Sequence, residues 1–124
     1  MPTINLTADT FDTTVDEGGI VLVDWWATWC GPCRSFAPIF DRAAEANPDI
    51  VFAKVDTEAN QEFSGAVGIM SIPTLMIFRD GIMLFSQPGA LPAAALDSLI
   101  EQVRALDMNE VRASMAQADE SDVS

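Results

Sequence analysis

Residues 20–36 read IVLVDWWATWCGPCRSF. The first part, Ile20 to Trp26, is apolar except for Asp24 and β-branched at its start, as in a strand buried on both faces. Pro32 then opens a second part in which Phe36, Ile39, Phe40, Ala43 and Ala44 recur at helical spacing until Asn47-Pro48-Asp49 closes the run. Proline suits the first turn of a helix, whereas Pro38 lies inside it, where its missing N–H and its ring predict a kink between Arg34 and Pro38. A central strand thus hands over to a helix. The only two cysteines of the chain, Cys30 and Cys33, stand on that junction.

Outward from this unit the pattern alternates. Residues 3–6, TINL, read as a short strand, and Thr7 followed by Ala8, Asp9 and Thr10 reads as a capped helix start running to about Asp16, where Glu17-Gly18-Gly19 breaks it. IVFAKVD (50–56) is a second buried strand, and TEANQEFSGAVG (57–68) an acid-started helix ending at glycine. TLMIFRDGIMLFSQ (74–87) places Arg79-Asp80-Gly81 between two apolar runs, a hairpin signal. From Pro92 a last helix carries Leu96, Leu99, Ile100, Val103 and Leu106 on one face. Strands separated by helices pair in parallel through right-handed crossovers, and the hairpin adds an antiparallel edge. The expected fold is α/β, a mixed central β-sheet of about five strands flanked by four helices. No repeat or linker divides it, so residues 1–106 form one domain and residues 107–124 an acidic C-terminal extension, partly helical or disordered. Met108, Val111 and Met115 keep helical spacing there before the terminal ADESDVS (118–124) frays.

The composition narrows the function. A chain of 124 residues with 49% apolar content buries a core without needing disulfides or metals. Six basic against nineteen acidic residues give a net charge of -13, which repels phosphate backbones and anionic membranes alike. Neither nucleic acid nor membrane is an expected partner. The start, MPTINLTADTFD, has neither the basic residues nor the apolar run of a signal peptide, and no stretch approaches the roughly 20 apolar residues of a membrane span. The expected location is cytoplasmic, where thiols are kept reduced and a cysteine pair is catalytic or metal-binding rather than structural.

A helix start presents unsatisfied amides and the positive end of the macrodipole, so Cys30 is expected to ionise at lowered pH and to act as a nucleophile in disulfide exchange. Two residues further on, Cys33 can attack a mixed disulfide at Cys30 and release the partner reduced. The alternatives are weaker. A structural disulfide here would close a very short loop and constrain little. Zinc needs four ligands, and the chain has no histidine and no second cysteine pair, so no metal site is expected short of a two-chain or carboxylate-assisted one. Asp24, the one charged residue between Ile20 and Trp29, is expected to be desolvated, with its carboxyl raised toward neutrality where a general base is useful. Lys54, the only lysine, interrupts its own apolar strand.

Trp29-Cys30-Gly31-Pro32-Cys33, preceded by VLVDWWA and followed by Ile72-Pro73-Thr74 and Gly89-Ala90, resembles the thioredoxin family from about residue 3 to about residue 106. The resemblance implies a thiol–disulfide oxidoreductase, an enzyme reducing protein disulfides through a Cys30/Cys33 dithiol–disulfide cycle. Cys30 is then the nucleophile, Cys33 the resolving thiol, Asp24 the proton acceptor and donor, and Lys54 a neighbour of Asp24. Pro73 is the cis-proline facing the cysteine loop, and it would hold Ile72 ready for strand-like pairing with a client. With Trp29, Gly31, Pro32, Gly89 and Ala90 these residues make an uncharged substrate-binding rim on an acidic chain. No cofactor is expected to be bound; electrons come from NADPH through thioredoxin reductase, and the partners are that reductase and disulfide-containing clients of a monomer. Two departures, Trp25 for the family's frequent phenylalanine and Arg34 for lysine, keep bulk and charge, and Arg34 could help stabilise a Cys30 thiolate. The other readings are a thioredoxin-fold binding or scaffold module whose redox activity is incidental, and a cluster-binding dimer.

Overall fold

A computed structural model describes residues 2–123, with side-chain surroundings described through residue 117. The chain runs β1 (Thr3–Asn5), α1 (Ala8–Glu17), β2 (Ile20–Trp26), α2 (Gly31–Ala46), β3 (Val51–Asp56), α3 (Gln61–Val67), β4 (Thr74–Arg79), β5 (Ile82–Pro88), α4 (Ala93–Ala105) and α5 (Met108–Val123). The five strands form one sheet in the order β1-β3-β2-β4-β5, with β1, β3 and β2 parallel and β4 and β5 antiparallel. This is the expected mixed sheet, with one helix more than the four read from the sequence. The thioredoxin fold is the architecture.

Side-chain alternation divides the core. Val21, Val23 and Trp25 of β2 face α1 and α3, where Phe11, Phe63 and Phe78 surround the Trp25 layer. Leu22 faces the opposite way, into a layer built from Phe36, Phe40, Ala43 and Ala44 of α2 and Leu96, Ile100 and Val103 of α4. Asp24 shares the face of Leu22, so its carboxyl points beneath α2 rather than toward water. The apolar run of β2 is buried on both sides because it is the middle strand of the sheet.

Local signals explain the joints. The hairpin closes on Asp80 and Gly81, both at positive φ (55° and 80°), the geometry that a two-residue turn between twisted strands demands. Gly68 ends α3 in the left-handed region at φ 90°. Pro38 sits within α2, which is one helix from Gly31 to Ala46. Leu106 departs from expectation. The last helix of the sheet layer stops at Ala105, and Leu106 is an extended cap with 39% of its surface exposed. After that break Met108 turns back into the protein and begins α5, which Arg112 ties to Asp80 of the hairpin at 3.6 Å. The backbone of α5 is helical through Val123, against the fraying expected of ADESDVS, and Ser124 lies outside the described residues.

Candidate active site

Cys30 is the N-cap of α2, and Cys33 lies in its first turn. The two are joined in a disulfide, with their Cα atoms 5.2 Å apart, and both residues are almost wholly buried. The extended backbone of Cys30 (φ -86°, ψ 112°) turns its sulfur over the helix start, where the Cys33 N–H donates to Cys30 Sγ at 3.2 Å. That amide, with the dipole behind it, favours negative charge on the sulfur once the disulfide is opened. Gly31 and Pro32 complete the turn and are exposed.

The loop before β4 packs against this turn. Ile72 joins Ala27, Cys30 and Cys33 in a small apolar cluster, and its carbonyl oxygen lies 3.6 Å from Cys30 Sγ. The Ile72-Pro73 bond is cis. Pro73 itself is buried rather than part of an exposed rim, and its carbonyl accepts the Gly89 N–H at 2.8 Å, which brings the segment after β5 beside it. Gly89 has φ 110°, a conformation open to glycine and strained for other residues. Gly89 and Ala90 are exposed, as is Trp29, with 65% of its surface free. The Trp29 indole N–H donates to Glu58 Oε1 at 2.7 Å, which fixes the ring at the edge of the cysteine turn.

Beneath the disulfide, a cleft of about 110 Å³ is lined by Asp24, Trp26, Ala27, Thr28, Cys33, Arg34, Ala37 and Lys54. The buried carboxyl and the second cysteine thus open on one space, large enough to hold water between them. Asp24 Oδ1 has no hydrogen-bond partner among the described residues. Burial pushes the Asp24 carboxyl up to about 7; Lys54 pulls it down and Asp41 pushes it up again. Lys54 stands opposite Asp24 in the parallel register of β2 and β3, but its ion pair is with Asp41 of α2, 3.5 Å away. Arg34 donates to the Thr28 carbonyl at 2.9 Å, so its guanidinium braces the loop before Cys30.

The structure thus brings Cys30, Cys33, Asp24, Lys54, Ile72, Pro73 and Gly89 to one end of the sheet. Two residues escaped the sequence reading. Asp41 lies two helical steps of four beyond Cys33, a spacing that marks the face of α2 toward Lys54. Glu58 carries no local signal, because its bond to Trp29 joins positions far apart in the chain. Among the described residues no group of histidine, cysteine, aspartate or glutamate is placed to hold a metal ion, and no helix is long and apolar enough to cross a membrane.

The family model described as Thioredoxin matches residues 2–102. The chain belongs to the thioredoxin family. A Streptomyces coelicolor protein assigned as a thioredoxin 2 is 57% identical over 115 residues, covering 93% of this chain and 86% of the relative. The Bacillus subtilis thioredoxin is 37% identical over 103 residues, covering 82% of this chain and 98% of its own. A solved mutant thioredoxin from Halobacterium salinarum is similar in fold with a TM-score of 0.77, at 32% identity, covering 86% of this chain and 95% of that one. The chain is a thiol–disulfide oxidoreductase, and Cys30-Cys33 is its redox-active disulfide.

Proposed function

We propose that this thioredoxin runs in the reducing direction on protein disulfides, with Cys30 attacking, Cys33 resolving and Asp24 carrying the proton. The observation that carries this reading is the shared cleft, in which a buried carboxyl titrating near neutrality opens on the same space as Cys33. In the dithiol state the Cys30 thiolate attacks a client disulfide, forming a mixed disulfide and expelling one client thiolate, which takes a proton from water. Cys33 then gives its proton toward Asp24 and attacks Cys30 Sγ, which breaks the mixed disulfide and releases the second client sulfur. Two electrons have passed to the client, and the Cys30-Cys33 disulfide remains. A reductase fed by NADPH returns two electrons and closes the cycle, so the protein itself holds no cofactor.

Client docking uses the uncharged surface around Cys30. The Ile72 backbone, next to the sulfur, suits strand-like pairing with an extended client segment, and Trp29, Gly31, Pro32, Gly89 and Ala90 flank it. The reading includes a cytoplasmic monomer whose catalytic domain is residues 1–106. Mixing the protein with a disulfide-bonded client and a small dithiol tests the mechanism. Wild type accelerates client reduction, Cys30→Ser does not, and Cys33→Ser accumulates a covalent client adduct at Cys30. Full activity in Cys30→Ser would overturn it.

A further inference from the structure

Lys54 is the only lysine in the chain, and its ammonium lies between two carboxylates of very different setting. Asp24 faces it from β2 at the same register position and is 1% exposed. Asp41 faces it from α2, with a side chain 49% exposed while that of Lys54 is only 17% exposed. The ion pair forms with Asp41 at 3.5 Å, and among the described residues Lys54 makes no pair with Asp24. We propose that Asp41 is a positioning residue, competing with Asp24 for the single ammonium of Lys54 and so leaving the buried carboxyl free to exchange a proton with Cys33. This rests on reading Asp24 as the proton carrier.

The physical case is a contest for one cation. A carboxylate that keeps half its surface in water ionises cheaply and holds the ammonium, whereas ionising Asp24 carries the full cost of desolvation. If Lys54 were drawn wholly to Asp24, that carboxyl would stay ionised and be a poor proton acceptor at neutral pH. The other groups around Asp24 do not substitute. The neighbouring strand β4 presents Leu75 at this position, and α2 contributes Cys33 and Arg34 to the cleft, the latter engaged with the Thr28 carbonyl. Asp41 Oδ1, the oxygen turned to Lys54, is shielded from solvent and among the described residues has no hydrogen-bond partner to compete with the lysine, while the rest of the carboxylate reaches water.

Carbon-detected NMR of the Asp24 carboxyl in the oxidised, full-length protein reads this without turnover. Asp41→Asn is expected to lower the pH of half-titration by about one unit, the scale on which a freed opposite charge moves a carboxyl. Asp41→Glu should restore it, and Asp41→Ser should match Asp41→Asn, a check on folding of the first variant. In a Lys54→Met background the Asp41→Asn shift should shrink to the part that direct repulsion between the two carboxylates supplies. An unchanged midpoint in Asp41→Asn would sink the proposal, as would an equal shift with and without Lys54, which would mean direct repulsion. Failure of Asp24 as proton carrier would show separately, as an unaltered rate profile in Asp24→Asn.

Discussion

The Arg79 guanidinium donates to the Val103 carbonyl at 2.8 Å and to the Leu106 carbonyl at 3.0 Å, tying the last residue of β4 to the end of α4. The final carbonyls of a helix lack intrahelical partners, and a cation there answers both the orphan acceptors and the dipole. Arg79→Met keeps the aliphatic stem and removes the donors. The expected loss is about 1–2 kcal/mol, since charged hydrogen bonds are worth more than neutral ones but this one is partly solvated. Urea denaturation checks it, and client reduction should be unaffected because the contact lies at the far end of the sheet from the cysteines.

Asp24 makes stability depend on pH. Its folded pKa of about 7 lies above the ordinary 3.8, so between these values the folded chain keeps a proton that the unfolded chain has lost. Stability therefore falls as pH rises from about 4 to about 7 and is flat beyond, by roughly 4 kcal/mol from this group at about 1.4 kcal/mol per pH unit. In Asp24→Asn that slope should vanish. Denaturant midpoints at pH 4 and pH 8 measure it, and a parallel decline in wild type and variant would contradict the buried, raised carboxyl.

What the sequence disclosed was whatever depends on near neighbours. The apolar run at Ile20–Trp26, the helical spacing from Phe36 to Ala44 and the Asp80-Gly81 turn each carry their own period or backbone demand, and each element lies where that demand places it. Asp24 stood out because one charge in a doubly buried strand must titrate abnormally. The pairings that cross the fold were hidden. Lys54 to Asp41, Glu58 to Trp29 and Arg79 to the end of α4 join distant positions, and no local pattern names the partner. Leu106 misled because it keeps the helical period one residue past the point where the backbone becomes extended. The cis bond before Pro73 followed from family resemblance and not from the residues themselves.

Gly89 is the backbone position where a side chain should cost most near the site. At φ 110° a residue with a Cβ is strained, and relaxing it would disturb the N–H bond to the Pro73 carbonyl. Gly89→Val is expected to destabilise by about 1–3 kcal/mol. Because the strain falls beside the proposed client platform, KM for a protein disulfide should rise while reduction of a small disulfide is retained. Thermal denaturation and paired kinetics on the two substrates separate the effects.

Truncation after Leu106 asks whether α5 belongs to the catalyst. The cut removes Met108, which is 6% exposed, and the Arg112–Asp80 pair, but keeps Leu106, whose carbonyl oxygen stays beside Arg79 as part of the new terminal carboxylate. Burying one methionine is worth about 1.5–3 kcal/mol, and an exposed ion pair adds little. The shortened chain should therefore lose stability on that scale, seen as an earlier urea midpoint. Every residue around the Cys30-Cys33 disulfide and the Asp24 cleft precedes the cut, so reduction of protein clients at 25 °C should continue at the full-length rate. A loss of client reduction with small-disulfide reduction intact would place part of the docking surface on α5 and favour the binding-module reading over a self-sufficient domain.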